Sequence, residues 1–583
     1  MFKLFRSMTK REAALAAAAL AFVVVQVWLE LRIPDYMNDI TKLVQTGDNA
    51  ISAVLRSGGK MLLCAFGSLL ASVVVAFAAS RIASNFGAAL RLRLFDRVQA
   101  FSMEEIGRFS TASLITRSTN DVTQIQDLIV LGLQAFIRAP VMAAFAIGKI
   151  ADKNSAWTFS TAAAVGILLV IVIITLVTVM PKFRSLQRLT DDVNRVTREN
   201  LNGINVVHAY NAEDYQQRKF GAANDALTGA HLFTGHGMAM LMPSIALIMN
   251  GLSLAIYWIG AYLIEHAALM EKAQLFADMV VFSSYAMQVV MSFMMLVMIF
   301  LLVPRASVSA KRINEVLDTV PALHDGKETT GLSTGEIEFR DVSFSYPDSE
   351  EAVLRHISFR AHKGETVAFI GSTGSGKSTL VNLIPRFYDA TEGQVLVDGR
   401  DVRDYTLEAL HDRIGHVAQK AVLFSGTIAG NVAYGENGRP APSAQDVDNA
   451  IDVAQATEFV SQKSDGANSY VAQGGTNFSG GQKQRLSIAR AVCRKPEILI
   501  FDDSFSALDF RTDRILRESL RKSCGEATKL IVAQRIGTIR DADRIVVLDE
   551  GAVAGIGTHD ELMKSCEVYR QIAFSQLSEA ELA

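Results

Sequence analysis

In the stretch Thr366-Val367-Ala368-Phe369-Ile370-Gly371-Ser372-Thr373-Gly374-Ser375-Gly376-Lys377-Ser378-Thr379, an apolar run meets a glycine-rich loop. Val367 to Ile370 read as a buried strand, and a helical segment opens at Thr379. Gly371 to Ser378 fit the spacing G-x-x-x-x-G-K-[ST] between the two. Glycines let backbone N–H groups converge on phosphate oxygens, and the start of the helix adds partial positive charge. Lys377 is expected to reach the β- and γ-phosphates and Ser378 to hold Mg2+. ATP with Mg2+ is the ligand this pattern predicts.

Short β-rich runs alternate with helical segments outward from this loop, from Ile337–Phe339 to Arg544–Leu548. That alternation predicts a mainly parallel α/β domain over residues 336–583. The run Ile498-Leu499-Ile500-Phe501-Asp502-Asp503 is a strand that ends in carboxylates, which would bring Asp502 beside the phosphate loop to orient Mg2+. Upstream lie a linker (321–335) and a very different half, 1–320. Its six long apolar stretches run approximately Ala13–Leu31, Met61–Ala79, Val130–Ile150, Phe159–Met180, Met238–Ile264 and Met279–Val303. Each is long enough to cross a hydrocarbon core of about 30 Å. The predicted fold class is thus a six-helix all-α transmembrane domain followed by an α/β phosphate-loop nucleotide-binding domain.

Composition agrees. The 583 residues are 50% hydrophobic and 20% charged, too apolar for a disordered chain and too charged for one living wholly in lipid. A net charge of -3 gives no basic excess for nucleic acid. The four cysteines are scattered, without metal-ligand spacing. Lys3, Arg6, Lys10 and Arg11 precede the first span with no acid among them, so the N-terminus and the nucleotide-binding domain are expected in the cytoplasm, at the cell membrane. The second to fifth spans are expected to continue past the bilayer as helices. Inside the spans, Gln134, Arg138, Asn250 and Gln288 are either functional or bridges between helices. Met287, Met291, Met294 and Met298 share one helical face, which suits a cavity for varied apolar cargo or, equally, bundle filler.

Between the loop and the acidic strand stands Asn477-Phe478-Ser479-Gly480-Gly481-Gln482. It resembles the L-S-G-G-Q signature of ATP-binding cassette (ABC) proteins, with Phe478 in place of Leu. Tyr346 matches the aromatic that stacks on adenine, Gln419 the loop glutamine that links Mg2+ to the membrane half, and Ser506–Asp509 the D-loop. Residues 199–213 and 309–318 resemble intracellular parts of ABC exporters. The resemblance implies two six-helix bundles over two cassettes, with ATP sandwiched between one cassette's phosphate loop (Gly371 to Ser378, with Thr379) and the other's signature (Ser479, Gly480, Gly481, Gln482). With one loop and one signature, this chain would be a half-transporter. Coupling helices are expected near Ser110–Ile115 and Ala209–Tyr215.

Two departures from the family pattern are sharp. The residue after Asp502, usually the Glu that polarises the attacking water, is Asp503. The switch position, usually His, is Gln534. Asp is one methylene shorter, and a misplacement near 1 Å can slow a reaction about 10²-fold. Gln473 also replaces a usual Glu. The expectation is a degenerate site in a heterodimer with a second, different half-transporter, exporting amphipathic or hydrophobic small molecules such as drugs or lipids. Alternatives are a homodimer with slow ATPase, an importer of a metal chelate, to which only Arg138 points, or a non-transporting ATP sensor.

Overall fold

The computed structural model describes residues 3, 8–45, 51–151, 153–330, 334–347, 349 and 351–576. Arg6, the side chain of Met298 and residues 331–333 of the expected linker lie outside the described residues. The chain divides into two compact units: residues 1–99 with 111–319, and residues 100–110 with 320–583.

The first unit is helical. Six of its helical stretches are long and apolar enough to cross a membrane, among the described residues. They overlap all six stretches expected from hydropathy. Several far exceed a bilayer: the helix Ile51–Gln99 has 49 residues, about 70 Å at 1.5 Å per residue, and Ser155–Asn202 has 48. Lipid tails are as apolar as Leu, so close packing and polar ties hold such helices together. Val23, Val27, Leu168, Ile256 and Phe282 form the packed interior. The Trp157 indole donates to the Ile256 carbonyl at 3.1 Å and lies 5.4 Å from the Phe282 ring. The third crossing is not one regular helix: a π-turn at Gly132–Phe136 interrupts it, and Arg138 begins the next segment.

Of the intraspan polar groups, Arg138 finds a partner on another helix, whereas Gln288 Oε1 is buried with no hydrogen-bond partner among the described residues. Arg138 Nη2 donates to both Glu30 carboxylate oxygens (3.0 and 2.9 Å), and Glu30 also accepts from Gln26 and Ser68. Toward the 151–157 connection, Asp35 accepts from Tyr285 (2.5 Å) and Lys149 (2.7 Å). Met287 and Met294 are half-buried, whereas Met291 is exposed.

In the second unit the central six-stranded sheet runs in the order Ala552–Gly557, Arg544–Asp549, Thr366–Gly371, Thr528–Val532, Ile498–Asp502, Ile414–Val417. All neighbours are parallel except the first pair. Both faces of this sheet are covered, which explains its unbroken apolar runs. Val367, Phe369, Ile498 and Ile500 face one core, while Ala368, Ile370, Leu499 and Phe501 face the other. A second, antiparallel sheet orders Leu354–Ala361, Ile337–Phe344, Glu392–Val397 and Arg400–Asp401. Its strand Leu354–Ala361 intersperses buried with exposed residues, a pattern weaker in sequence than the continuous runs of the parallel sheet.

Candidate functional site

Parallel register puts the working ends of three strands together. Val532 stands opposite both Phe369 and Asp502, so the phosphate loop, the acidic pair and the switch segment emerge side by side. Asp503 N donates to the Val532 carbonyl at 3.1 Å, which carries the chain one residue past the strand. Asp503 then takes φ +47, a left-handed conformation that Asp tolerates better than most residues. Gly376 sits at φ +89, and a Cβ there would lie 2.7 Å from Leu354 and 3.0 Å from the Val353 carbonyl, so glycine is required.

Lys377 folds back over its own loop, donating to the carbonyls of Gly371 (2.8 Å) and Ser372 (2.7 Å). Burial pulls its ammonium below the ordinary lysine range, opposed by Asp503 and Asp502. Ser378 Oγ donates to Asp502 at 2.7 Å. A hydroxyl and a carboxylate adjoining a retained ammonium are the hard oxygen donors and the cation that a magnesium-bearing triphosphate requires, so the donor set fits. When bound, Mg2+ would supply Lewis-acid charge, and Ser378 and Asp502 are the side chains that would hold it. Burial also raises the Asp502 carboxyl, with the Ser378 bond opposing.

The departures from pattern meet in one place. Gln534 Nε2 donates to Asp503 Oδ2 at 2.7 Å, and Gln419 Nε2 approaches the same oxygen at 3.5 Å. Burial lifts the Asp503 carboxyl above its ordinary range, and bonds from Gln419, Ser506 and Gln534 oppose that rise. Asp503 is therefore held by amides rather than left open toward water. Tyr346 packs at 90° against Tyr388, and its hydroxyl lies 3.0 Å from Thr379 Oγ1, which fixes the ring beside the loop.

The signature lies elsewhere on the same unit. Ser479 caps the helix Gly480–Cys493 through a reciprocal box with Gln482. No Cβ neighbour stands within 4 Å of Gly480, whereas one at Gly481 would meet the Ala507 carbonyl at 3.1 Å. Among the described residues, Ser479 to Gln482 make no hydrogen bond to the phosphate loop. Gln473 opens a single 3-10 turn, and Lys483 donates to Gly474 in that turn. The structure thus gathers Tyr346, the loop, Thr379, Gln419, Asp502, Asp503 and Gln534, and leaves the signature apart from them. Sequence reasoning missed Glu30, because a lone Glu inside an apolar run names no partner. It also missed Gln576, an exposed amide on the last helix that bonds to the switch segment.

Of the coupling elements, a short helix forms at Met103–Phe109, followed by Ser110 at φ +55 and a second helix, Thr111–Ser118. The other expected region is the turn between the helices Ile204–Ala209 and Glu213–Ala239.

Known proteins place this geometry. The ABC transporter profile matches residues 354–506, and the ABC transporter transmembrane region matches residues 15–315. An uncharacterized ABC transporter ATP-binding protein of Mycobacterium bovis is 41% identical over 91% of this chain and 90% of its own length. An ATP-dependent lipid A-core flippase of Pseudomonas fluorescens is 32% identical over 84% of this chain and 80% of its own. The structure of a bacterial Atm1-family ABC exporter with ATP bound superposes with a TM-score of 0.78 at 25% identity, covering 97% of this chain and all of the other.

Proposed function

The chain belongs to the ABC transporter family, and on that footing we propose that it is the degenerate-site half of a two-chain exporter. Its fold is that of an ATP-driven ABC exporter, and its cassette couples ATP hydrolysis to transport. In the proposed role its own phosphate loop holds ATP and turns it over slowly. Ser479, Gly480, Gly481 and Gln482 complete the competent site of a different half-transporter. The observation that carries this reading is the Gln534 amide on Asp503 at 2.7 Å. A carboxylate held this way is both short and engaged, and Gln cannot bring the charge a protonated His would.

The cargo is proposed to be amphipathic or hydrophobic, a lipid or drug-like molecule moved out of the cell across the cytoplasmic membrane, with the cassette on the cytoplasmic side. The half-buried Met287 and Met294 and a relative named an ATP-dependent lipid A-core flippase support this class. The metal-chelate alternative loses support, because Arg138 is ion-paired to Glu30 rather than offering a free charge. The test is ATPase activity of the purified chain alone. Turnover near background supports the proposal, whereas cargo-stimulated turnover by this chain alone contradicts it.

A further inference from the structure

The switch segment is gripped from outside the nucleotide site. Gln576, near the end of the helix Glu567–Gln576, donates from Nε2 to the Gln534 carbonyl at 2.7 Å. Its Oε1 accepts from the Ile536 N–H at 2.9 Å. One side-chain amide therefore pairs with the backbone on both sides of Arg535, as an edge strand would, and one of its two anchors is the backbone of Gln534, whose own side chain holds Asp503. The bracing helix is anchored rather than loose: Tyr569 and Ala573 are fully buried in the core that also contains Ile536 and Ile539, and the Tyr569 hydroxyl lies 2.7 Å from His559 Nδ1. Gln576 itself is exposed. Its bonds to the switch segment are what its amide adds to that packing.

We infer that Gln576 is a positioning residue for the nucleotide site: by fixing the Gln534 and Ile536 backbone it sets the Gln534 amide against Asp503. This rests on the reading of Gln534 as the switch residue. A Gln534 free to swing would release Asp503 and let the site open. Two ordinary hydrogen bonds are together enough to shift such an opening equilibrium by about tenfold.

The test uses the full chain in the complex isolated from native membranes. The probe is 8-azido-ATP, with photolabelling of this chain resolved from that of any other chain on a gel. Gln576→Ala removes both bonds, and Gln576→Met removes them while keeping side-chain length. Both variants are expected to load nucleotide at this chain's loop with wild-type equilibrium concentration dependence, since Lys377 and Ser378 are untouched and an opening equilibrium gates entry and exit alike, yet to take it up and release it about tenfold faster. Gln534→Ala is the reference. Release at the wild-type rate in both Gln576 variants, with fast release in Gln534→Ala, overturns the positioning role and leaves the site's reading intact. Wild-type release in all three overturns both. Weakened loading together with fast release in the Gln576 variants also overturns the inference, because it would mean general damage to the cassette.

Discussion

At the residue scale, the proposed asymmetry turns on one carboxylate. Asp503 sits at φ +47, buried, with an amide 2.7 Å from one oxygen. Restoring reach and charge together, as Asp503→Glu with Gln534→His, should raise single-turnover hydrolysis at this chain's loop by about 10²-fold, the converse of a misplacement near 1 Å. Rapid-quench measurement with a labelled γ-phosphate checks it, and no gain would mean that the limit lies elsewhere. Residual turnover has its own pH signature. A base works only when deprotonated, and burial raises Asp503. Turnover at this site should therefore fall, as pH drops, before a solvent-exposed Asp would protonate. The converse sign, turnover rising on acidification, would remove Asp503 as the base.

At the element scale, the segment 100–110 belongs to the nucleotide-binding unit although it lies between two spans. Glu105 holds it there. Its carboxylate accepts from the Ser102 backbone and hydroxyl (2.7 and 2.6 Å) and from the Ala322 N–H at 2.8 Å. Burial pushes this carboxyl up, but the Ser102 and Ala322 bonds outweigh it and leave it below the ordinary Glu range. A depressed carboxyl contributes stability that is fully present above its unfolded pKa and lost as pH falls through the folded one. Glu105→Ala should lose about 1–3 kcal/mol of local stability at neutral pH, since it leaves buried donors unpaired. Amide exchange across residues 100–110 measures it, and unchanged protection would refute the tie.

The Glu30–Arg138 bridge makes a parallel case. With side chains 19% and 33% exposed, the pair is partly screened, so Arg138→Ala should cost about 1–3 kcal/mol rather than the full penalty of a stranded charge. Glu30→Gln with Arg138→Met should recover most of it, as read by thermal unfolding in detergent. Equal losses in the single and double variants would show that the pair does not matter.

These elements also show what the sequence makes legible. Apolar runs that must cross lipid, or lie in a sheet covered on both faces, are continuous and easily read; hence the spans and the parallel strands. Loop chemistry is local, so Gly371–Ser378 and Asp502 announce themselves. Pairings between distant segments are not encoded in any window. Glu30 and Arg138 are 108 positions apart, and Gln576 and Gln534 are 42 apart. A helix, Thr111–Ser118, lies at the segment expected for coupling, while the additional helix Met103–Phe109 before it, started by the capping box of Ser102 and Glu105, was not expected from the sequence.

At the scale of the whole molecule, the signature makes no hydrogen bond to the phosphate loop of its own cassette among the described residues, in keeping with the proposed sandwich in which a second cassette completes each site. Replacing Ser479 with Arg should then abolish transport-coupled ATPase of the assembly by well over about 10-fold, while leaving ATP binding at this chain's Lys377 unchanged. The measurement that bears most directly on the asymmetric-site account is the intact mass of the tagged chain's complex, extracted from its native membrane. The account predicts one copy of this chain with one copy of a different half-transporter of similar size. A complex of two copies of this chain alone would contradict it, and would make Asp503 and Gln534 the working pair.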